Sequence, residues 1–273
     1  MCRKGVCRLS SSRGYRGVNH IWRLKMELVI SLIVIFGSIA AVAALFFWYI
    51  STPKGRGWFG EVLTTWALGK DKEGKWRVMS GLIIEGKDGR TTEIDQIVVN
   101  NNGVFVIETK NYAGKVYGDD TCSEWTQVLA KGNLTHKHYN PVKQNGTHVY
   151  MLKNALELPI HILDCVVMVR GNVKYISSDR VFSLFGVRKF LRTKRHPGLS
   201  EADVEMIFKK LEHIKKTTKI TPEQHRENVR RHVASVEAGI CPRCQAKLIE
   251  DDGDGGKFMT CSNPECQFKM PKK

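Results

Sequence analysis

The stretch IDQIVVNNNGVFVIETK, residues 94–110, decides how this chain folds. Two apolar runs flank NNNG, a turn signal, so the pattern predicts a pair of antiparallel strands. A hairpin turning at Asn101 and Asn102 sets Asn100 against Gly103, and the same register sets Asp95 directly opposite Glu108. Opposed side chains on one face have Cβ atoms roughly 4.5–5.5 Å apart. Lys110, two residues beyond Glu108, points to the same face. Two carboxylates and an ammonium therefore converge within otherwise apolar strands. Like charges so placed repel, and leaving acids unpaired there is costly. A divalent cation bridging the two acids would relieve this, because hard cations take oxygen ligands. The lysine would then neutralise a phosphate or orient an attacking water. A cross-strand salt bridge, or a wetted sheet edge, accounts for the same residues without any chemistry.

Working outward, STPKGRG (51–57) reads as a linker by its proline and glycines. WFGEVLTTWALGK (58–70) reads as a helix on which Trp58, Val62, Thr65 and Trp66 share a face bordered by Glu61. KWRVMSGLIIE (75–85) reads as a strand followed by the turn GKDG. Residues 140–158 form a helix, with Asn140 as N-cap and Pro141 at its first position. HILDCVVMVRG (161–171) is a buried strand. The order is α-β-β-β-α-β, with residues 111–139 as an insertion holding a short hairpin around AGKVYG and Trp125. Two more helices follow, at 199–216 capped by Ser200 and at 221–237 started by Thr221 and Pro222.

These residues resemble the NERD family, the nuclease-related domain, a branch of the PD-(D/E)XK nuclease-like proteins. The resemblance covers residues 57–170. It rests on Gly60-Glu61, EIDQIVV with Asp95, VFVIETKNYAG with Glu108 and Lys110, the tryptophan of SEW, and NPVKQN with Gln144. Ile94 stands where the wider group has proline, and the acid is kept. The resemblance implies an α/β fold of α+β mixed-sheet type with a PD-(D/E)XK-like αβββαβ core. It also implies that Asp95 and Glu108, with the Thr109 carbonyl, bind Mg²⁺ or Mn²⁺. Lys110 would position or activate water, Glu61 would complete the acidic site, and Gln144 would hold water or substrate phosphate. Taken singly, Glu61 and Gln144 are ordinary exposed helical positions.

The C-terminal part carries Cys241-x2-Cys244, a sixteen-residue gap, then Cys261-x4-Cys266. Two close cysteine pairs separated by a hairpin-length segment point to structural Zn²⁺, with redox chemistry as the alternative. DDGDGG supplies the turn. This segment, 239–270, is similar to the four-cysteine fingers of bacterial type IA topoisomerases, which implies a role in holding DNA. Lys247, Lys257, Phe258, Phe268 and Lys269 would then offer charge and stacking, unless the phenylalanines pack the small core. His136 and His138 read as loop histidines within reach of phosphate, and NLT at 133 and NGT at 145 match glycosylation acceptors.

Residues 28–50 contain no charged side chain, and as a helix they extend roughly 34 Å, enough to cross a bilayer. The run is longer than the apolar core of a signal peptide, about 7–15 residues. Residues 1–27 form a basic segment without a visible fold, which would place the main domain outside. A translation start at Met26 removes that segment, leaves Lys54 and Arg56 as the flanking charges, and turns the main domain to the cytoplasm, as thiols in a reducing compartment require. Residues 51–56 are the linker and 171–238 a strand and helical extension. The net charge of +16 favours polyanions, either nucleic acid or an anionic membrane. The expectation is a membrane-anchored, metal-dependent nuclease acting on DNA or RNA. The alternatives are a catalytically silent nucleic-acid-binding module and a membrane scaffold for a protein partner.

Overall fold

The structure is a computed structural model that describes residues 14–69, 76–86, 89–170, 173–193, 198–253, 256–266 and 268–271. Cys2, Cys7, residues 1–13 of the basic leader, and the centres of the GKDG and DDGDGG turns lie outside the described residues. The chain forms two compact units, 1–56 and 57–273.

In the first unit, helix α1 (Gly14–Ser51) is one uninterrupted element. Over Trp22–Ser51 its mean hydropathy reaches 2.8, and it is long and apolar enough to cross a membrane. It starts upstream of the expected span. No proline interrupts residues 14–27, and a nucleated helix propagates at little cost. The expected linker is also corrected, because helix α2 begins at Pro53 and runs to Leu68. Only Thr52 breaks the path. Its hydroxyl accepts the Gly55 N–H at 3.0 Å as an N-cap does, and Pro53 fits a first turn that needs no N–H there. A Cβ at Gly55 would sit 2.0 Å from the Tyr49 carbonyl oxygen, so this tight break requires glycine.

The second unit is built on a five-stranded sheet, order β1-β2-β3-β7-β9. Its strands are β1 (Trp76–Glu85), β2 (Thr91–Asn100), β3 (Gly103–Lys110), β7 (Ile162–Met168) and β9 (Val181–Ser183). The first three are antiparallel, and β3, β7 and β9 run parallel. Val104 to Ile107 are completely buried because helices cover both sheet faces, which explains the unbroken apolar run. On one face α3 (Pro141–Leu156) contributes Leu152 and Leu156, and α5 (Glu201–Thr217) contributes Val204, Ile207 and Leu211. On the other, Ala67 and Leu68 of α2 pack with Val187 and Leu191 of α4 (Val187–Arg192). Helix α5 and strand β9 therefore belong to the core rather than to an extension after residue 170. Asn140, Ser200 and Thr221 cap as expected, the last two through reciprocal capping boxes.

The α2 face carrying Trp58, Val62 and Trp66 is exposed, with Trp66 at 74%. Gly55, Gly60, Thr64, Ala67 and Leu68 are the buried positions. Residues 111–139 form three strands rather than one hairpin: β4 (Lys115–Asp119), β5 (Glu124–Leu129) and β6 (Leu134–Tyr139). With β8 (Ile176–Ser177) they make a second sheet, anchored by the buried Trp125. Helix α6 (Pro222–Glu237) leads to a small sheet of β10 (Leu248–Gly253), β11 (Gly256–Cys261) and β12 (Lys269–Pro271).

Candidate active site

The β2–β3 hairpin has the register expected from sequence, from Asn100–Gly103 to Gln96–Ile107. Gly103, at φ 140°, takes a conformation that favours glycine. Pairing ends one step before Asp95 and Glu108, where the Thr109 N–H donates to Asp95 Oδ2 at 2.8 Å instead. The Thr109 hydroxyl donates to Gln96 Oε1 at 2.8 Å. Gln96 in turn donates from Nε2 to the Glu61 carbonyl at 3.5 Å, tying α2 to the hairpin. Lys110 Nζ lies 2.5 Å from Glu108 Oε1 and 3.0 Å from Gln144 Oε1. Asp95, Glu108, Lys110 and Gln144 are thus drawn together by β2, β3 and the first turns of α3, with Glu61 at the rim.

The site also contains His148, which the sequence reading missed. Its Nε2 lies 3.1 Å from Glu108 Oε2, and its Nδ1 lies 2.5 Å from the Thr92 hydroxyl. The signal was present: His148 follows Gln144 by four residues on a correctly placed helix, hence on the same face.

The electrostatics follow from burial and crowding. The Asp95 carboxyl is pushed well above the carboxylate range by burial and then by the Glu108 charge, partly offset by the Thr109 N–H. Glu61 is raised by partial burial and by Glu93 and Glu108. Burial would also raise Glu108, which is only 2% exposed, yet Lys110 and His148 hold it below its usual value. Burial opposes the Lys110 charge, but Glu108, Tyr112 and Asp95 keep its pKa high. Glu108 and Lys110 form the charged pair, and Asp95 is the acid that resists ionising. An oxygen-only set of crowded acids suits a hard divalent cation, whose charge would remove the repulsion that raises Asp95. Asp95 Oδ1 has no hydrogen-bond partner among the described residues and would be the first donor, while Glu108 would yield an oxygen from Lys110.

Residues 56–169 match the family model described as Nuclease-related domain, NERD. This segment is a NERD domain. A Bacillus anthracis protein described as uncharacterized is 34% identical over 122 residues, covering 45% of this chain and 55% of the relative. The chain thus spans about half the length of that curated relative. No solved structure matches.

Within the NERD domain, Asn145 is fully buried and donates to the Val106 and Cys165 carbonyls, so its NGT motif cannot accept a glycan. His136 and His138 lie on strand β6 rather than on a loop; His138 stacks on Tyr112 with 4.2 Å between centroids.

Beyond the NERD domain, Cys241, Cys244, Cys261 and Cys266 place their Sγ atoms within 4.8 Å of one another. Cys241–Cys266 is 3.6 Å and Cys244–Cys261 3.3 Å. Both separations are far beyond a disulfide bond of about 2.05 Å. They are near the ~3.8 Å that thiolates adopt around tetrahedral zinc. The Ala246 N–H lowers the Cys244 thiol to about 7, while burial pushes the Cys261 thiol up to about 12 and also raises Cys266. Phe268 packs the ribbon core and offers no stacking face, whereas Phe258 is half-buried under Lys269 Nζ, 4.3 Å from its centroid.

Proposed function

We propose that the protein is a metal-dependent nuclease, tethered to a membrane by α1, that hydrolyses phosphodiester bonds of DNA in preference to RNA. The observation that carries this reading is the hydrogen-bonded convergence of Asp95, Glu108, Lys110 and Gln144 on a NERD domain. Asp95 and Glu108, with the Thr109 carbonyl and Glu61, would hold Mg²⁺ or Mn²⁺. When bound, the ion would polarise a phosphoryl oxygen and supply a water of lowered pKa. The chain's own groups do the rest. Gln144, which accepts from Lys110 Nζ at 3.0 Å, holds the ammonium over the site, where it would meet phosphate or the attacking water. His148, backed by Thr92, holds the second oxygen of Glu108 and fixes the plane of the carboxylate. The four cysteines would hold a structural Zn²⁺ whose closed shell leaves no position for chemistry. The likeness of this ribbon to topoisomerase fingers supports a role in gripping the substrate, and supports DNA over RNA. With translation starting at Met26, Lys54 and Arg56 become the charges flanking the apolar helix, and they support a cytoplasmic main domain, as does the reduced Cys122 thiol.

Incubation of the full chain with DNA or RNA in Mg²⁺, Mn²⁺ or EDTA tests this reading. Cleavage of DNA that stops in EDTA supports it. Tight binding without cleavage would make the chain a silent nucleic-acid-binding module, and neither binding nor cleavage would leave the membrane scaffold.

A further inference from the structure

A cleft of about 590 Å³ separates the sheet from the cysteine ribbon, away from the acids. One wall is the end of the turn before β2 and the first residues of that strand, Gly89 to Thr92, with Thr147 and Met151 of α3. The other is α6 together with Pro242, Arg243, Gln245 and Phe268 of the ribbon. Helix α6 ties the two walls. Near its start His225 Nδ1 lies 2.8 Å from the Thr91 hydroxyl. Near its end Val236 packs on the ribbon core, and His232 meets the Phe268 ring edge-on at 6.0 Å. Among the described residues no Asp or Glu lines this cleft, whereas Arg90, Arg231 and Arg243 do, and all three are exposed. Arg231 donates to Asn228 one turn back, and Arg243 donates to the Cys266 carbonyl at 2.8 Å, which fixes its base on the ribbon.

The cleft also leads to the acids. Thr92, on its floor, meets His148, and His148 meets Glu108. Thr147, on its α3 wall, is one helical turn beyond Gln144.

We infer that this cleft is the track for the phosphate backbone of a single nucleic-acid strand, gripped between the ribbon and the sheet on its way to the acid cluster. The inference rests on the nuclease reading for what lies at the end of the track. Arginine suits phosphate because its planar fork donates two parallel hydrogen bonds. Arginines on opposite walls of a concavity contact a chain lying inside it, whereas a bilayer surface reaches only convex or flat faces. The arrangement also gives the ribbon a role beyond packing, since it supplies one wall. Strand tracking by a basic groove is independent of sequence and strongly salt-dependent.

The test is equilibrium binding of a fluorescent single-stranded oligonucleotide to the detergent-solubilised full chain in EDTA, over a salt series. Because this readout needs no catalysis, it separates the inference from the nuclease reading. Arg90→Gln/Arg231→Gln is compared with Lys209→Gln/Lys216→Gln, which removes equal charge from exposed positions on α5. The cleft variant is expected to lose affinity about tenfold, and its log–log salt slope should fall by about 1.4, or 0.7 per lost phosphate contact. The α5 variant should stay near wild type. Equal losses in both variants would reduce the effect to net charge and overturn the inference, as would no loss in either. If the cleft variant keeps the oligonucleotide but no longer retains phosphatidylglycerol in mixed micelles, the cleft is a lipid-headgroup surface and the inference is also overturned.

Discussion

Replacing Asn145 with alanine tests how α3 is fastened over the site. Asn145 is fully buried, and its Nδ2 donates at 3.0 Å to the carbonyls of Val106 on β3 and Cys165 on β7. One amide therefore stitches the helix to both parallel strands, beside Gln144 and one turn before His148. Alanine leaves two main-chain acceptors short of a donor in a dry interior. Each such loss costs about 1–3 kcal/mol. Against this, Asn145 Oδ1 is buried without a partner among the described residues, so its removal returns part of the loss. The net destabilisation is then about 3 kcal/mol, a large share of the 5–15 kcal/mol typical of a folded domain. At about 2–4 °C per kcal/mol for a unit of this size, Tm should fall by roughly 6–12 °C. Thermal unfolding of the full chain in detergent, followed by near-ultraviolet circular dichroism, measures this. Asn145→Asp, which sets carboxylate oxygens against the two carbonyls, should fall at least as far. A shift under about 2 °C for alanine would refute the reasoning, because the two bonds would then add nothing beyond what water supplies.

Metal analysis of the purified chain should find one zinc, and Cys244→Ser should abolish it and unfold the ribbon while the β2–β3 hairpin keeps its hydrogen-exchange protection; an ordered ribbon without metal would contradict this. Asp95 predicts a pH effect in EDTA. Its folded pKa is raised above the unfolded value of about 3.9, so the folded state binds more protons and stability falls as pH rises between the two values. Asp95→Asn removes this loss. The variant should therefore be more stable than wild type above about pH 4, with a gap that widens until the folded value is passed and then stays constant. Parallel stability curves from pH 3 to 8 would contradict it.

Much of this architecture was local and therefore legible in the sequence. NNNG between two apolar runs sets the hairpin register, and capping residues at 140, 200 and 221 set three helix starts. Cysteine spacing sets the ribbon. What failed depended on tertiary contact. The sequence put Trp58, Val62, Thr65 and Trp66 of α2 on one face, yet the core takes Gly60, Thr64, Ala67 and Leu68 instead. A Cβ added at Gly60 would already stand 3.0 Å from the Asn111 side chain, so only a small residue permits that approach. Strand β6 carries mostly exposed polar residues and leaves no alternating signature. The α5 stripe of Val204, Ile207 and Leu211 was amphipathic in sequence, but nothing local told which layer it completes. At the site, the acids and the lysine were readable because charge in an apolar strand is conspicuous. His148 was not, because its meaning depends on the partners that Thr92 and Glu108 provide across the fold.

The central claim is that the acid cluster cuts phosphodiester bonds with a metal. Its most direct test is the initial rate of DNA cleavage in Mg²⁺ by wild type and by Asp95→Asn, purified side by side. The exchange keeps the size of the side chain, removes an anionic metal ligand, and exposes any contaminating nuclease, which would act equally in both samples. Loss of several kcal/mol of transition-state stabilisation should slow the variant on the order of 100-fold or more. Cleavage at equal rates in the two proteins, or none by wild type in Mg²⁺ or Mn²⁺, would contradict the account.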